Sequence, residues 1–347
     1  MNEPARVGVV GVAGVTGGEL LRLLDAHPGV EVAALAGRSS AGQLVAEVHP
    51  HLKASRSGPL TIGRIEDLGA VDVAFLALPR GESATAAPPL LERGIRVIDL
   101  SGDFRLAAEE YPPWYGFEHP APAWLDKAVY GLPERFREAV AGADLVANPG
   151  CFPTPAVLGL APLLEAGLLE PAAIAIDGKT GLSGAGSAAS DATSFAATEE
   201  SVRPYRFPVH QHTPEIERAL SATTSIETTV TFVPHLVPAV RGVLVTCYAR
   251  AGVGSTTAAL TDRLADAYRG EPFVRVLEAG AMADTKRVRG SNVAELHAVV
   301  DQRTGTAIVV GAIDNLVKGA AGQAIQNLNR MLGLEETTAL PTIGMVP

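Results

Sequence analysis

Short, almost wholly apolar runs alternate with segments of helical period through the first half of the chain. That alternation predicts parallel strands buried on both faces with helices between them. Arg6 to Val10, Val30 to Ala36, Val71 to Leu78, Ile95 to Leu100 and Ala143 to Ala147 read as strands. Helices are expected at Glu19–Ala26 and Ser83–Arg93, the second interrupted early by Pro88-Pro89. Residues 111–124 are rich in proline and aromatics and carry no period. Ala156 to Gly167 is helical, with Val157, Leu160, Ala161 and Leu164 on one face, and Glu215 to Ser221 reads as a short helix. The rest is rich in β structure. Strands are expected over 172–177, 228–234, 242–250 and 273–277, and a hairpin joins 295–301 to 306–313. A last helix over Asn315–Met331 places Leu316, Ala320, Ala324 and Leu328 together and stops at Gly333.

Composition narrows the function. At 47% hydrophobic but 5% aromatic, the chain suits a well-buried α/β enzyme better than an aromatic-rich binding surface. A net charge of −10 and a pI near 5.3 argue against nucleic acid or an anionic membrane as partner. Two cysteines make no disulfide framework. No apolar run is long enough to span a bilayer, and the N-terminus lacks the pattern of a signal peptide, so a cytoplasmic protein is expected.

The first strand runs into Gly11-Val12-Ala13-Gly14-Val15-Thr16-Gly17-Gly18 and then a helix. Strand, glycine turn, helix is the context of a dinucleotide-binding loop: glycines admit a pyrophosphate and the helix start supplies N–H donors. The spacing is G-x-x-G-x-x-G, so position rather than pattern carries the reading. With it, residues 1–150 are expected to form a Rossmann-type domain of parallel strands, completed by the helix at 315–332 packing back. Residues 151–314 would form an α+β catalytic and oligomerisation domain around a mixed, mostly antiparallel sheet. After the second strand come Arg38 and Ser39 where an NAD-specific fold carries an acidic residue, which suits the 2′-phosphate of NADP. Leu78-Pro79 and the loop holding Asp103 and Arg105 fall at strand carboxyl ends, where ligands gather. Arg105 either grips a substrate anion or braces Asp103.

Cys151 follows Asn148-Pro149-Gly150 directly, and Pro153 and Pro155 put a helix's first turn just after it. A thiol at the positive end of a helix ionises more readily and is a candidate nucleophile. Cys247, inside a strand, reads as core. Gly178-Lys179-Thr180 resembles a phosphate loop only superficially, because the required earlier glycine would fall at Ala173. The glycine-serine loop from Lys179 to Ser187 admits a ligand instead, and the polar stretch from Ser187 to Ser201 suits a mobile or an interface segment. His210 and His212 lack a third ligand of matching spacing, so no metal is expected, and a Cys–His pair is better motivated. Arg241, in a turn, is a second candidate anion clamp.

These motifs, G-V-A-G-V-T-G-G-E-L at 11, D-F-R-L at 103, N-P-G-C-F-P-T at 148, S-G-A-G at 183, H-Q-H-T-P-E-I at 210, P-A-V-R-G at 238 and A-I-D-N-L-V-K-G at 312, together resemble the N-acetyl-γ-glutamyl-phosphate reductases. The resemblance spans the chain. It implies a fold like those of aspartate-semialdehyde and glyceraldehyde-phosphate dehydrogenases, NADP(H), and a homodimer or homotetramer. The substrates would be a small acyl phosphate and phosphate. It implies Cys151 as nucleophile, His210 as acid/base with His212 as fallback, and Arg105, Asn148, Tyr205, His212 and Arg241 toward the substrate. Gly11, Gly14, Val15, Thr16, Gly17, Arg38, Ser39, Leu78, Pro79, Ser183, Gly184 and Asn315 would hold the cofactor. The chain departs from the family at Val15, at Phe152 for a common tyrosine, and at Ser187 for a frequent arginine. Two alternatives stay open: reduction of a carrier-bound aminoadipyl phosphate, and a Cys–His acyltransferase or hydrolase.

Overall fold

The computed structural model describes residues 3–186, 191–278 and 280–346. It divides into two units, one ending at Pro149 and regaining Ala320–Leu340, the other running Gly150–Gly319 with the tail from Pro341. Among the described residues no helix is long and apolar enough to cross a membrane.

The first unit is built on a six-stranded, all-parallel sheet of order β2-β1-β3-β4-β6-β5. Its strands are β1 (Ala5–Val10), β2 (Val30–Ala36), β3 (Val73–Leu76), β4 (Arg96–Asp99), β5 (Val129–Tyr130) and β6 (Leu145–Ala147). Strands β1, β3, β4 and β6 are buried on both faces over most of their length, as parallel strands between helices must be, while the edge strands β2 and β5 are only partly covered. Three helices matter here: α1 (Val15–Leu24), α2 (Glu82–Glu92) and α3 (Pro133–Ala141). Contrary to the expected interruption, α2 runs unbroken through Pro88 and Pro89. Its buried Ser83, Ala84, Ala87 and Leu90 hold it on the sheet, and that packing outweighs two missing donors. The aromatic excursion is not structureless either. Tyr111–Tyr115 forms a helix, and Tyr111, wholly buried, takes the N–H of Arg105 and of Leu106 on its hydroxyl.

The second unit carries a seven-stranded mixed sheet, in the order β11-β12-β13-β10-β7-β9-β8. The strands are β7 (Ile174–Thr180), β8 (Arg203–Pro204), β9 (Val230–Leu236), β10 (Val243–Arg250), β11 (Val274–Val276), β12 (Ala294–Asp301) and β13 (Thr306–Ile313). Only the β7–β9 and β11–β12 pairs are parallel. One face is buried under α4 (Pro153–Glu165), α5 (His212–Thr224) and α6 (Thr257–Ala267), and along β10 the alternate positions Leu244, Thr246 and Tyr248 stay at least partly exposed. Helix α5 starts three residues earlier than its periodicity suggests, so His212 is its first residue.

Helix α4 is buried from Pro153 to Leu164, which explains its weak amphipathic signal. Pro162 within it has no N–H for the Leu158 carbonyl, and the Tyr268 hydroxyl donates to that oxygen at 2.6 Å. The expected final helix is divided: Asn315 lies in a turn, Val317–Ala321 is a π-type turn, and the α-helix proper is α7 (Gly322–Met331). Helix α7 packs against α1 and α3 of the first unit. Its polar face is buried as well as its apolar one. Asn327 donates to Gly131 O and to Asn148 Oδ1, Gln326 to Glu134, and Asn329 faces His27 at 2.8 Å.

Tyr268→Phe should leave a buried carbonyl without its donor and lower stability by about 1–3 kcal/mol. Denaturant unfolding of the variant beside the parent measures the loss; an unchanged midpoint would count against this pairing.

Candidate active site

Cys151 lies in the turn between β6 and α4, half-buried. The turn is held from several sides. Glu215, on α5 and buried, accepts the Gly150 N–H at 2.7 Å, and the Gly150 carbonyl takes the Thr154 N–H and hydroxyl at 3.1 and 2.9 Å. Pro153 and Pro155 contribute no donors and that of Thr154 is spent, which leaves the Phe152 N–H at the helix start. Glycine is required opposite the thiol, because a Cβ on Gly319 would stand 2.8 Å from that of Cys151. Gly178, inside β7, makes room for the buried Phe152 ring; a Cβ there would meet it at 2.5 Å.

Phe152 carries the histidines. Its ring meets those of His210 and His212 edge-on at 6.2 and 5.9 Å, and Phe232 closes the cluster. His210 is buried, and its Nδ1 accepts the His212 N–H at 3.1 Å. An accepting Nδ1 leaves the hydrogen on Nε2 of the neutral ring, which makes His210 a donor. His212 Nε2 stands 3.9 Å from Glu215 Oε2. Tyr205 packs 5.4 Å from His210; burial raises its phenol pKa, and the charge of nearby Cys151 raises it further. Among the described residues no three His, Cys, Asp or Glu side chains group as metal ligands.

A second cluster in this unit gathers Ser183, Gly184, Arg241 and Asn315. Asn315 accepts the Gly242 N–H at 2.7 Å and donates to Ser183 Oγ at 2.9 Å. Ser183 N–H bonds Val240 O, so the two loops are sewn together. Arg241 lies 3.5 Å from the buried carboxylate of Asp314. Ser187, next in this loop, lies outside the described residues.

In the first unit the glycine loop has the tightness a phosphate-binding turn needs. Gly11 has φ +87°, and a Cβ on it would lie 2.2 Å from Ala77 O; one on Gly17 would lie 2.5 Å from Gly11 O. Gly14 caps α1, whose first residues are Val15 and Thr16, and its own Cβ direction is open apart from Gly11 O at 3.5 Å. Past the sheet's carboxyl edge lies a cavity of about 780 Å³ lined by Arg38, Arg64, Leu78, Glu82 and Arg93 among others. Arg38 spans its rim to Glu82 at 3.2 Å. Ser39 is exposed, whereas Ser40 is buried beside Gly37 with an unpartnered hydroxyl. Pro79 O accepts the Glu82 N–H and so shapes the turn into α2. Arg105 donates to Leu100 O, while Asp103 accepts from Gly81 and Ala84 N–H groups. Asn148 faces inward, its amide shared between Ala320 O and Asn327. Glycine clearance, cationic lining and an orphaned hydroxyl together fit a phosphorylated dinucleotide.

Sequence reasoning missed Glu215, Gly319, Arg64 and His49. His49 faces Val12 O at 2.7 Å and backs the glycine loop. Glu215 and Gly319 stand within H-Q-H-T-P-E-I and A-I-D-N-L-V-K-G, and Ser40 ends the Arg38-Ser39-Ser40 stretch whose hydroxyls suit a 2′-phosphate; Arg64 had no local signal.

Residues 6–143 match the model of the semialdehyde dehydrogenase NAD binding domain, and 151–315 that of the semialdehyde dehydrogenase dimerisation domain. The N-acetyl-gamma-glutamyl-phosphate reductase of Desulforudis audaxviator is 50% identical over 99% of both chains. That of Magnetococcus marinus is 46% identical over the full length of both. Among solved structures, aspartate semialdehyde dehydrogenase II of Vibrio cholerae superposes with a TM-score of 0.74 at 17% identity, covering 96% of this chain and 99% of that one. Identity near one half along the whole length, over the two-domain fold just described, means that this chain belongs to the N-acetyl-gamma-glutamyl-phosphate reductase family.

Proposed function

We propose that the chain reduces N-acetyl-L-glutamyl 5-phosphate to N-acetyl-L-glutamate 5-semialdehyde with NADPH, releasing phosphate, as a step of arginine biosynthesis. The observation that carries the reading is Cys151 in a braced turn at the head of a buried helix, within the Tyr205 and His210 neighbourhood.

The Cys151 thiolate adds to the acyl carbonyl, the Phe152 N–H serves the oxyanion, and the C–O bond to phosphate breaks with its electron pair on the leaving group. The cationic side chains of Arg105 and Arg241 serve the anionic ends of the substrate. A thioester on Cys151 accepts hydride where a carboxylate would not; NADPH, when bound, supplies that hydride. Gly11, Gly14, Val15, Thr16 and Gly17 would hold its pyrophosphate, Arg38 and Ser39 its 2′-phosphate, and Leu78, Pro79, Ser183, Gly184 and Asn315 its remainder. His210, with hydrogen on Nε2, donates to the carbonyl oxygen as it gains charge, and takes the proton back as the aldehyde leaves and the Cys151 thiolate returns. Tyr205, His212 and Asn148 position the substrate and the turn.

A second copy packs on the uncovered sheet face, giving a homodimer or a homotetramer built from it. A cytoplasmic setting keeps the thiol reduced.

Cys151→Ala should abolish phosphate-dependent NADP⁺ reduction with the semialdehyde; surviving turnover would sink the thioester route. His210→Asn should cut kcat by roughly 10²–10⁴, with alkylation of Cys151 by iodoacetamide still proceeding. Gly14→Asp places an anion where the helix start meets pyrophosphate. It should weaken NADPH binding on the order of a hundredfold while the melting temperature holds, since aspartate is a good N-cap. Tyr248→Arg on the open face should reduce the mass seen by light scattering, and an unchanged mass would move the interface elsewhere.

A further inference from the structure

The loop after β4 does something besides presenting Arg105. Asp103 is completely buried, and its two carboxylate oxygens accept the Gly81 N–H at 2.9 Å and the Ala84 N–H at 3.0 Å. Those donors belong to the first turn of α2. The helix's own cap, Gly81, has φ +83° and offers no side chain. A carboxylate about twenty residues downstream therefore does the work of an N-cap from across the sheet edge. The same helix is a wall of the cavity, from Gly81, Glu82 and Thr85 in its first turn on to Ala86 and Pro89. Asp103 is itself fixed, its N–H bonded to Asp99 Oδ2 and Ser101 Oγ and its carbonyl facing His119 Nε2 at 2.8 Å.

Building on the cofactor reading above, we propose that Asp103 is a positioning residue for NADPH: through the Gly81 turn it sets the wall of the nucleotide cavity, and it ties that wall to the loop carrying Arg105. It touches no ligand and acts through backbone donors alone. An aspartate two residues before the candidate anion-binding arginine thus joins both ligand sites of the unit through one loop.

Burial, and then the charge of Asp99, push the Asp103 carboxyl up to about 6. The charged and titratable groups on the elements around it are Asp99 and Arg105 on its own loop, Glu82 on α2, and Tyr111 and His119 on the aromatic excursion. Two consequences of opposite sign follow. The folded value lies above the unfolded value of about 3.9, so proton uptake here favours folding, and this contribution fades as pH rises from about 4 through about 6. The pair of N–H bonds favours the ionised form, since a protonated oxygen is the poorer acceptor, so the cavity wall is best ordered above about 6 and loosens below it.

The test uses the full-length protein and NADPH fluorescence titrations between about pH 8 and about pH 5.8. Asp103→Asn keeps the shape but turns one acceptor into a donor. It should weaken NADPH binding about tenfold at the upper pH, raise KM for NADPH similarly and leave kcat within about twofold. The variant-to-parent ratio should fall toward one as pH drops, a comparison in which titration of the 2′-phosphate cancels. Equal affinities at the upper pH, or a ratio that ignores pH, would overturn the proposal. Should the variant not fold, the parent's affinity for NADH, which lacks the 2′-phosphate, must still fall through about pH 6; a flat profile refutes Asp103. A parent that binds neither nucleotide refutes the cofactor reading itself, and the role given to Asp103 with it.

Discussion

The Glu215 carboxylate, sunk in the second unit, takes the Gly150 N–H at 2.7 Å, and the placing of Cys151 depends on that bond. Helices α4 and α5 pack against each other along their lengths, but apolar packing alone would tolerate sliding. A charge-assisted bond at the reactive end removes that freedom. It also explains why the motif that begins at His210 carries an acid, Glu215, on a buried face. His210 precedes the helix and His212 begins it, so both rings are delivered by the element that fastens the thiol's turn. Burying a carboxylate is costly unless its oxygens are occupied; here Gly150 takes one and His212 faces the other.

The strand-helix alternation was readable because the parallel strands are short, mostly apolar runs with a glycine or proline at or soon after the carboxyl end. The cysteine's place at a helix start was readable for a similar local reason, since Pro153 and Pro155 admit no other register. What escaped reading was non-local. Pro88 and Pro89 say "stop" locally, and only the sheet beneath α2 overrules them. The polar side of α7 gives no local sign of its burial, because no period reveals that Gln326, Asn327 and Asn329 have partners far away in sequence. Arg64 could not be connected with Arg38 until the sheet edge brought both to one cavity.

The acidic balance of the chain and its anionic ligands are reconciled by position. Arg38, Arg64 and Arg93 share one cavity, whereas much of the negative charge is spent on pairing, as when Glu295 holds Arg275 and Arg287. Local cations over a net-negative body attract a phosphate only at short range, within the reach that salt leaves open.

Because α7 supplies interior partners for Asn148, Gly131 and His27, the first unit is not a contiguous product of the N-terminal half. A chain emerging from the ribosome exposes those polar groups until α7 has been made. The second unit likewise waits for its tail, where Pro341 O accepts the Asn292 N–H and Met345 N–H donates to Arg289 O. Vectorial synthesis therefore completes neither unit on its own: each waits for a segment made after the main body of the other, α7 for the first and the tail from Pro341 for the second.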